Sequence, residues 1–222
     1  MSTVLILGAS RGIGLALAKE YRAAGWKVLA SARQPADVAK LTELGMEAFP
    51  CDVTDLSDCA ALGWRLDDEK LDVAILNAGV MSNWTHELST PGLEEFQHVM
   101  QTNVLAAMRI LPIIAPTVQS SKGRLAVISS RMGSLSLRES ADAWLYRASK
   151  AALNSVLLDV AHGFPDMISV ALHPGWVRTD MGGINATLTP ERSAAGIRQT
   201  IARLGLHDNG TFYNFDGHKL SW

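Results

Sequence analysis

Two cysteines, Cys51 and Cys59, are all the thiol chemistry in this chain. They are too few for a disulfide framework and form no CxxC pair that would hold a metal. An excess of charge of one sign is missing too: 20 Lys and Arg stand against 22 Asp and Glu, a net charge of −2. So balanced a chain has no general electrostatic reason to bind nucleic acid or an anionic membrane. No unbroken apolar run approaches the roughly 18 residues of a membrane-spanning helix. The first apolar run, Val4 to Leu7, is too short for the core of a secretion signal and no cleavage site follows it. There is no internal repeat, no low-complexity tract and no stretch with the composition of a linker. These absences lead to the expectation of a cytoplasmic protein with no nucleic-acid or membrane partner, forming a single domain over residues 1–222.

What is present is enough apolar material for a sizeable core, 48 % hydrophobic residues with 19 % charged. It is arranged as short apolar runs alternating with longer segments of helical period. Thr3–Leu7, Lys27–Ser31, Met46–Pro50, Leu71–Leu76, Arg124–Ile128, Ile168–Leu172 and Thr211–Asn214 are predicted strands. Between them, Leu15–Ala24, Ala36–Leu44, Asp55–Leu66, Gly92–Ile114 and Ala143–Ala161 are predicted helices, and Thr189-Pro190-Glu191 starts another with a cap, a first-turn proline and an acid. Strict alternation of strand and helix calls for right-handed crossovers and a parallel sheet covered on both faces.

The first strand runs into Gly8-Ala-Ser10-Arg11-Gly12-Ile13-Gly14 and then into the first helix. Strand, glycine turn and helix in that order make a phosphate site, because bare backbone can approach a pyrophosphate and the helix N-terminus offers free N–H groups. The second strand ends in Ala32-Arg33, where an acid would be needed to bond a ribose 2′-hydroxyl. With no carboxylate there and with Arg11 nearby, the pattern reads as a site for a 2′-phosphate, hence NADP(H). Asp52, after the third strand, and Asn77, after the fourth, fall at the carboxyl edge where open sheets bind ligands.

Tyr146 and Lys150 are spaced i and i+4, on one helix face and roughly 6 Å apart along the axis. A tyrosine has a reference pKa of about 10, so using it as a proton donor or acceptor near neutrality calls for a positive neighbour, and Lys150 is placed to be one. Asn103 stands mid-helix among apolar residues, either as a satisfied interior amide or as a prop for a lysine through water.

In this order and at these intervals, GASRGIG, DVTD, LNAG, ISS, YRASK and HPGWVRTD resemble the classical short-chain dehydrogenase/reductase family over essentially the whole chain. RMGSLS, HPGWVRTDMGG and FDGHKLSW are similar to its subgroup of sniffer-type carbonyl reductases and C-factor cell-signalling proteins. The resemblance implies a Rossmann-type, doubly wound α/β fold with a seven-stranded, mostly parallel sheet in the order 3-2-1-4-5-6-7. It implies Tyr146 as the acid in carbonyl reduction, Lys150 lowering its pKa and bonding the nicotinamide ribose, and Ser130 holding the substrate oxygen. Asn103 would complete a water-borne relay to Lys150. Gly8, Gly12 and Gly14 would cradle the pyrophosphate, Ser10 and Ile13 of the same turn would also contact the cofactor, and Arg33 with Arg11 would bind the 2′-phosphate. Asp52 and Val53 would meet the adenine, and Asn77, Ala78 and Gly79 would line the nucleotide. Val177 and Thr179 would hold the carboxamide, after Pro174 and Gly175, which also border the cofactor.

The chain departs from the family pattern in three places. Leu76 stands where the motif usually has a first asparagine. Ser130 and Tyr146 are 16 residues apart, a longer interval than usual. The extra residues must bulge within Arg138 to Asp142, which leaves Ser129 and Ser134 as substitutes for Ser130. Finally, Thr179 to Pro190 carries little that could form a large lid, so an open, weakly selective substrate site is expected. Two functions follow: an NADPH-dependent reductase of a small carbonyl compound, or a dinucleotide-binding signalling protein of the C-factor type with little turnover. Large apolar residues on several faces of the helices carrying Asn103 and Tyr146 (Val99, Met100, Val104, Met108, Ile110 and Leu111; Leu153, Val156, Leu157 and Val160) predict a homodimer or homotetramer through them.

Overall fold

A computed structural model describes all 222 residues. Seven parallel strands, β1 (Thr3–Leu7), β2 (Lys27–Ala32), β3 (Glu47–Pro50), β4 (Val73–Leu76), β5 (Arg124–Ile128), β6 (Ile168–His173) and β7 (Thr211–Asn214), lie in the order 3-2-1-4-5-6-7. An eighth, β8 (Lys219–Leu220), pairs antiparallel with β7 and makes the sheet eight-stranded. The expected seven-stranded sheet is therefore short by this one edge strand, whose two residues carry no alternation to read.

Period two along β1 sends Leu5 and Leu7 to one face and Val4 and Ile6 to the other. Each face has its own core, of 29 and 24 buried residues, so neither is left to water, as a parallel sheet requires. Helices α1 (Gly12–Ala23), α2 (Pro35–Glu43) and α7 (Pro190–Arg203) cover the Val4 face. The Leu5 face is covered by α3 (Leu56–Arg65), α4 (Leu93–Met100), α5 (Ala106–Ser120) and α6 (Trp144–Gly163).

The predicted helix Gly92–Ile114 is in fact α4 and α5 joined end to end by a π turn, Gln101–Leu105, and it runs on to Ser120. Pro112 and Pro116 both lie inside α5 without ending it. They are one turn apart on its exposed side, so the carbonyls they leave unpaired can face water. This 28-residue rod is long and apolar enough to cross a membrane by composition alone, which no unbroken run in the sequence indicated. More than half of its most apolar window is buried inside the fold, with Ile110, Leu111, Ile114 and Val118 in the core.

The same burial corrects the basis of the oligomer prediction. Of the apolar residues expected to pair subunits, all but Met100 and Met108 are buried in the chain's own core. Leu93, Phe96, Leu105 and Met108 are the large apolar side chains left exposed along α4, the π turn and α5.

Candidate active site

Strand order reverses between β1 and β4, and a cleft of about 460 Å³ opens there at the carboxyl edge of the sheet. One wall is the glycine turn. Gly8 has φ +90°, and a Cβ on it would lie 2.9 Å from the Ala78 nitrogen. A Cβ on Gly14 would lie 2.0 Å from the Gly8 carbonyl oxygen and 2.6 Å from Asn77 Nδ2. Asn77 Nδ2 donates to that carbonyl at 2.7 Å, and Ser31 Oγ accepts from Gly8 N at 3.1 Å, which pins the turn. Arg11 caps α1 without a side-chain bond to its N–H groups, so the helix presents free donors and a partial positive charge to the cleft. Bare backbone plus an uncapped helix start suits a pyrophosphate, and this part of the cleft fits a dinucleotide.

Of the predicted nucleotide residues, Gly8, Ser10, Arg11, Gly12, Ile13, Arg33, Asp52, Val53, Asn77, Ala78, Gly79, Pro174 and Thr179 line the cleft, and so do Tyr146 and Lys150. Gly14, Gly175 and Val177 do not. Gly14 packs α1 onto the turn, a Cβ on Gly175 would strike Leu188 at 2.3 Å, and Val177 is buried in a bridge with Leu188. They shape the wall from behind. Thr54, Val80, Thr102, Arg178, Asp180 and Met181 line the cleft without having been predicted. Thr54, Val80 and Asp180 directly follow predicted positions, Arg178 lies between two of them, and all four were within reach of the motifs. Asp180 is ion-paired with Arg11, whose guanidinium is therefore not free as it stands.

The opposite wall carries the polar chemistry. Tyr146 and Lys150 are 5 % and 4 % exposed, with Lys150 Nζ 5.7 Å from the centre of the Tyr146 ring. Nζ donates to the Ile128 carbonyl at 2.9 Å, at the end of β5. A Cβ on Gly79 would meet Lys150 Nζ at 3.2 Å and Asn103 Oδ1 at 3.3 Å, so both side chains converge on that glycine. Burial pushes the Tyr146 phenol up to about 12, with the Ser130 hydroxyl pulling it back down. Burial also lowers the Lys150 ammonium to about 8. The net direction on the phenol is thus upward, against the expectation built on Lys150, because desolvation outweighs what its neighbours offer.

The three candidate serines have different surroundings. Ser129 lines the cleft, but its Oγ is already committed, donating to Asn154 Oδ1 at 2.6 Å. Ser134 Oγ holds the Leu137 N–H and faces Ser136. Ser130 Oγ accepts from Met132 N at 3.1 Å and is the hydroxyl beside the phenol. The extra residues do bulge: Arg138 to Ala141 are exposed, and the loop is tied down by buried Arg147, whose Nε donates to Asp142 O and whose Nη2 donates to Ser140 Oγ, both at 2.7 Å. Asn103 is a saturated amide. Its Oδ1 accepts from Val80 N, and its Nδ2 donates to Val80 O and to Ser149 Oγ, all at 2.8–2.9 Å.

A Rossmann-type fold with a glycine-built cleft and a buried Tyr-Lys pair facing it defines a dinucleotide-binding oxidoreductase scaffold. The family model described as short chain dehydrogenase matches residues 2–187, and the chain belongs to that family. It is 34 % identical over 231 residues to the 1-hydroxy-2-glutathionyl-2-methyl-3-butene dehydrogenase of Rhodococcus sp. (strain AD45), covering all of both chains. It is 35 % identical over 158 residues to the C-signal of Myxococcus xanthus, across 68 % of this chain and 93 % of that one. Among solved structures, the carbonyl reductase Sniffer of D. melanogaster superposes with a TM-score of 0.91 at 27 % identity, all of both chains being covered. A carbonyl reductase from Pseudomonas aeruginosa PAO1 in complex with NADP does so at 0.88 and 34 %, again over both whole chains.

Proposed function

We propose that this chain is an NADP(H)-dependent reductase that converts the carbonyl group of an aldehyde, ketone or quinone to an alcohol. The observation that carries the reading is the convergence of a buried phenol and ammonium, Tyr146 and Lys150, on the same cleft that the glycine turn opens. The NADP found with the Pseudomonas reductase supports the cofactor, and the absence of an acid at the end of β2 supports the phosphorylated form. Gly8, Ser10, Gly12 and Ile13 would take the pyrophosphate, Arg33 the 2′-phosphate, Asp52 and Val53 the adenine, and Thr179 the carboxamide. NADPH, when bound, supplies the hydride.

The protein's own part is proton handling. A phenol held at about 12 is fully protonated at neutral pH and can donate to a carbonyl oxygen as that oxygen gains charge. Ser130 orients the oxygen by a hydrogen bond. Lys150, still largely an ammonium at neutral pH, stabilises the phenolate left behind and would bond the nicotinamide ribose of a bound cofactor. Asn103, with its amide committed to Val80 and Ser149, acts as a positioning residue, and any relay from it to Lys150 runs through water and its backbone. Purified protein tested for NADPH oxidation against a panel of aldehydes, ketones and quinones, with Tyr146→Phe as control, checks the proposal. Activity retained by Tyr146→Phe removes the assigned acid.

The similarity to the C-signal favours a second reading, a dinucleotide-binding signalling protein. It forecasts NADPH binding with no turnover across the panel. In either case we propose that copies pair through the face bearing Phe96, Leu105 and Met108. A monomer by light scattering at micromolar concentration overturns that pairing.

A further inference from the structure

Five buried side-chain polar atoms have no hydrogen-bond partner: Thr85 Oγ1, Thr102 Oγ1, Arg124 Nε, Ser169 Oγ and His173 Nδ1. Of these residues only Thr102 lines the cleft. It is 8 % exposed and is the second residue of the π turn. A helical threonine can ordinarily return its hydroxyl to the carbonyl one turn back. Here it does not, and the turn that carries it is the wide one, of a kind that occurs disproportionately at functional sites.

Both sequence neighbours of Thr102 tie it to the cleft walls. Gln101 Nε2 donates to Thr54 O at 3.4 Å, and Asn103 holds both backbone groups of Val80 at 2.8 Å. Thr102 therefore sits between the loop leaving β3 and the loop leaving β4. Arg109, two turns on, donates to the same Thr54 carbonyl at 2.9 Å and fixes that distance. The β3 loop lies beside the end of β2, where Ala32 pairs with Pro50 and Arg33 follows. That end of the cleft is the one a 2′-phosphate would occupy.

We infer that the Thr102 hydroxyl is a cofactor contact, completing its hydrogen bonding on the adenosine half of the dinucleotide. The inference rests on the nucleotide reading above. A buried hydroxyl without a partner costs free energy, so the free protein carries a small penalty that is relieved when a nucleotide polar atom arrives. Replacing the hydroxyl by a methyl of nearly equal shape separates the two states.

The experiment compares wild type, Thr102→Val and Thr102→Ser by calorimetric titration with NADPH and with adenosine 2′,5′-bisphosphate, and by melting of the ligand-free proteins. Thr102→Val is expected to bind both ligands about two- to tenfold more weakly, the scale of one net hydrogen bond, and to melt no lower than wild type when free. Thr102→Ser should keep most of the affinity. Wild-type affinity in Thr102→Val overturns the inference, and so does a lower melting point of the free valine variant, which would mean that the hydroxyl already has a partner. Weaker NADPH binding with unchanged bisphosphate binding overturns the adenosine placement. Wild-type protein that binds neither NADPH nor NADH overturns the nucleotide reading and this inference with it.

Discussion

The two walls of the cleft are built by opposite means. At the end of β1 the wall exists because side chains are missing: backbone lies against backbone at Gly8 and Gly14, closer than any Cβ permits. At the end of β5 it exists because polar side chains are buried and each is given a partner, Lys150 on Ile128, Asn103 on Val80 and Ser149, Ser129 on Asn154. The first wall recognises by shape and the second holds protons in place. A substitution should therefore damage the first through added volume and the second through lost chemistry at constant volume.

The sharpest break in that comparison comes from the second wall. Tyr146→Phe keeps the ring and removes only the hydroxyl, and it is expected to cost on the order of 10²–10⁴ in turnover while NADPH affinity stays close to wild type. Single-turnover kinetics beside a binding titration measure both. Gly14→Ala tests the first wall. Its methyl would meet the Gly8 carbonyl at 2.0 Å, a backbone contact that cannot rotate away, so about 3 kcal/mol of stability should be lost, the upper end of the usual overpacking cost. Urea unfolding reads this, and an unchanged midpoint would show the turn to be looser than the geometry says.

Arg33→Ala belongs to the first wall yet works by charge. It should weaken NADPH binding by about 1.5–3 kcal/mol and leave NADH nearly untouched. Equal losses for both cofactors would refute the 2′-phosphate assignment. The remaining test of the second wall is pH dependence. Lys150 is depressed to about 8 in the folded, cofactor-free protein from an ordinary 10.5, so between those values the unfolded chain binds the extra proton. Stability should accordingly rise with pH across that window, and below about 8 the full penalty of the buried ammonium remains. The difference in melting temperature between wild type and Lys150→Met, followed from pH 8 to 10.5, isolates this contribution. A flat difference would mean that the ammonium is better solvated than its burial suggests.

The parts legible in the sequence were those where the chemistry is local. The glycine turn, the Tyr146–Lys150 spacing and the strand ends are each written within a few consecutive residues, and the strand order followed from the family they resemble. What escaped is non-local or without pattern. β8 has two residues, and Arg11 finds Asp180 far along the chain. The π turn is a matter of which backbone groups pair, and side-chain polarity does not report that. Apolar residues on several faces of α5 and α6 suggested a partner subunit, whereas a helix wedged between a sheet and other helices needs apolar residues on several faces for its own core. Thr102 could not have been chosen, because a missing hydrogen bond is a property of three dimensions.

The π turn also bears on how this chain can change length. It holds one residue more than an α-helical path from Leu93 to Ser120 would need. Deleting a single residue there would let the rod run as a continuous α-helix, so the lesion would be nearly invisible to circular dichroism. The faces of α4 and α5 would stay in register, because the wide turn is what absorbs the extra residue, so the lesion would fall on the turn itself. Thr102 and Asn103 are displaced or lost with the turn, and with them the hold of Asn103 on Val80 and Ser149, which an NADPH titration would register. The exposed bulge from Arg138 to Ala141 is under no such rule. Evolution is free to lengthen or shorten the chain at that bulge, whereas the rod can shed its extra residue only by giving up the side chains that the π turn presents to the cleft.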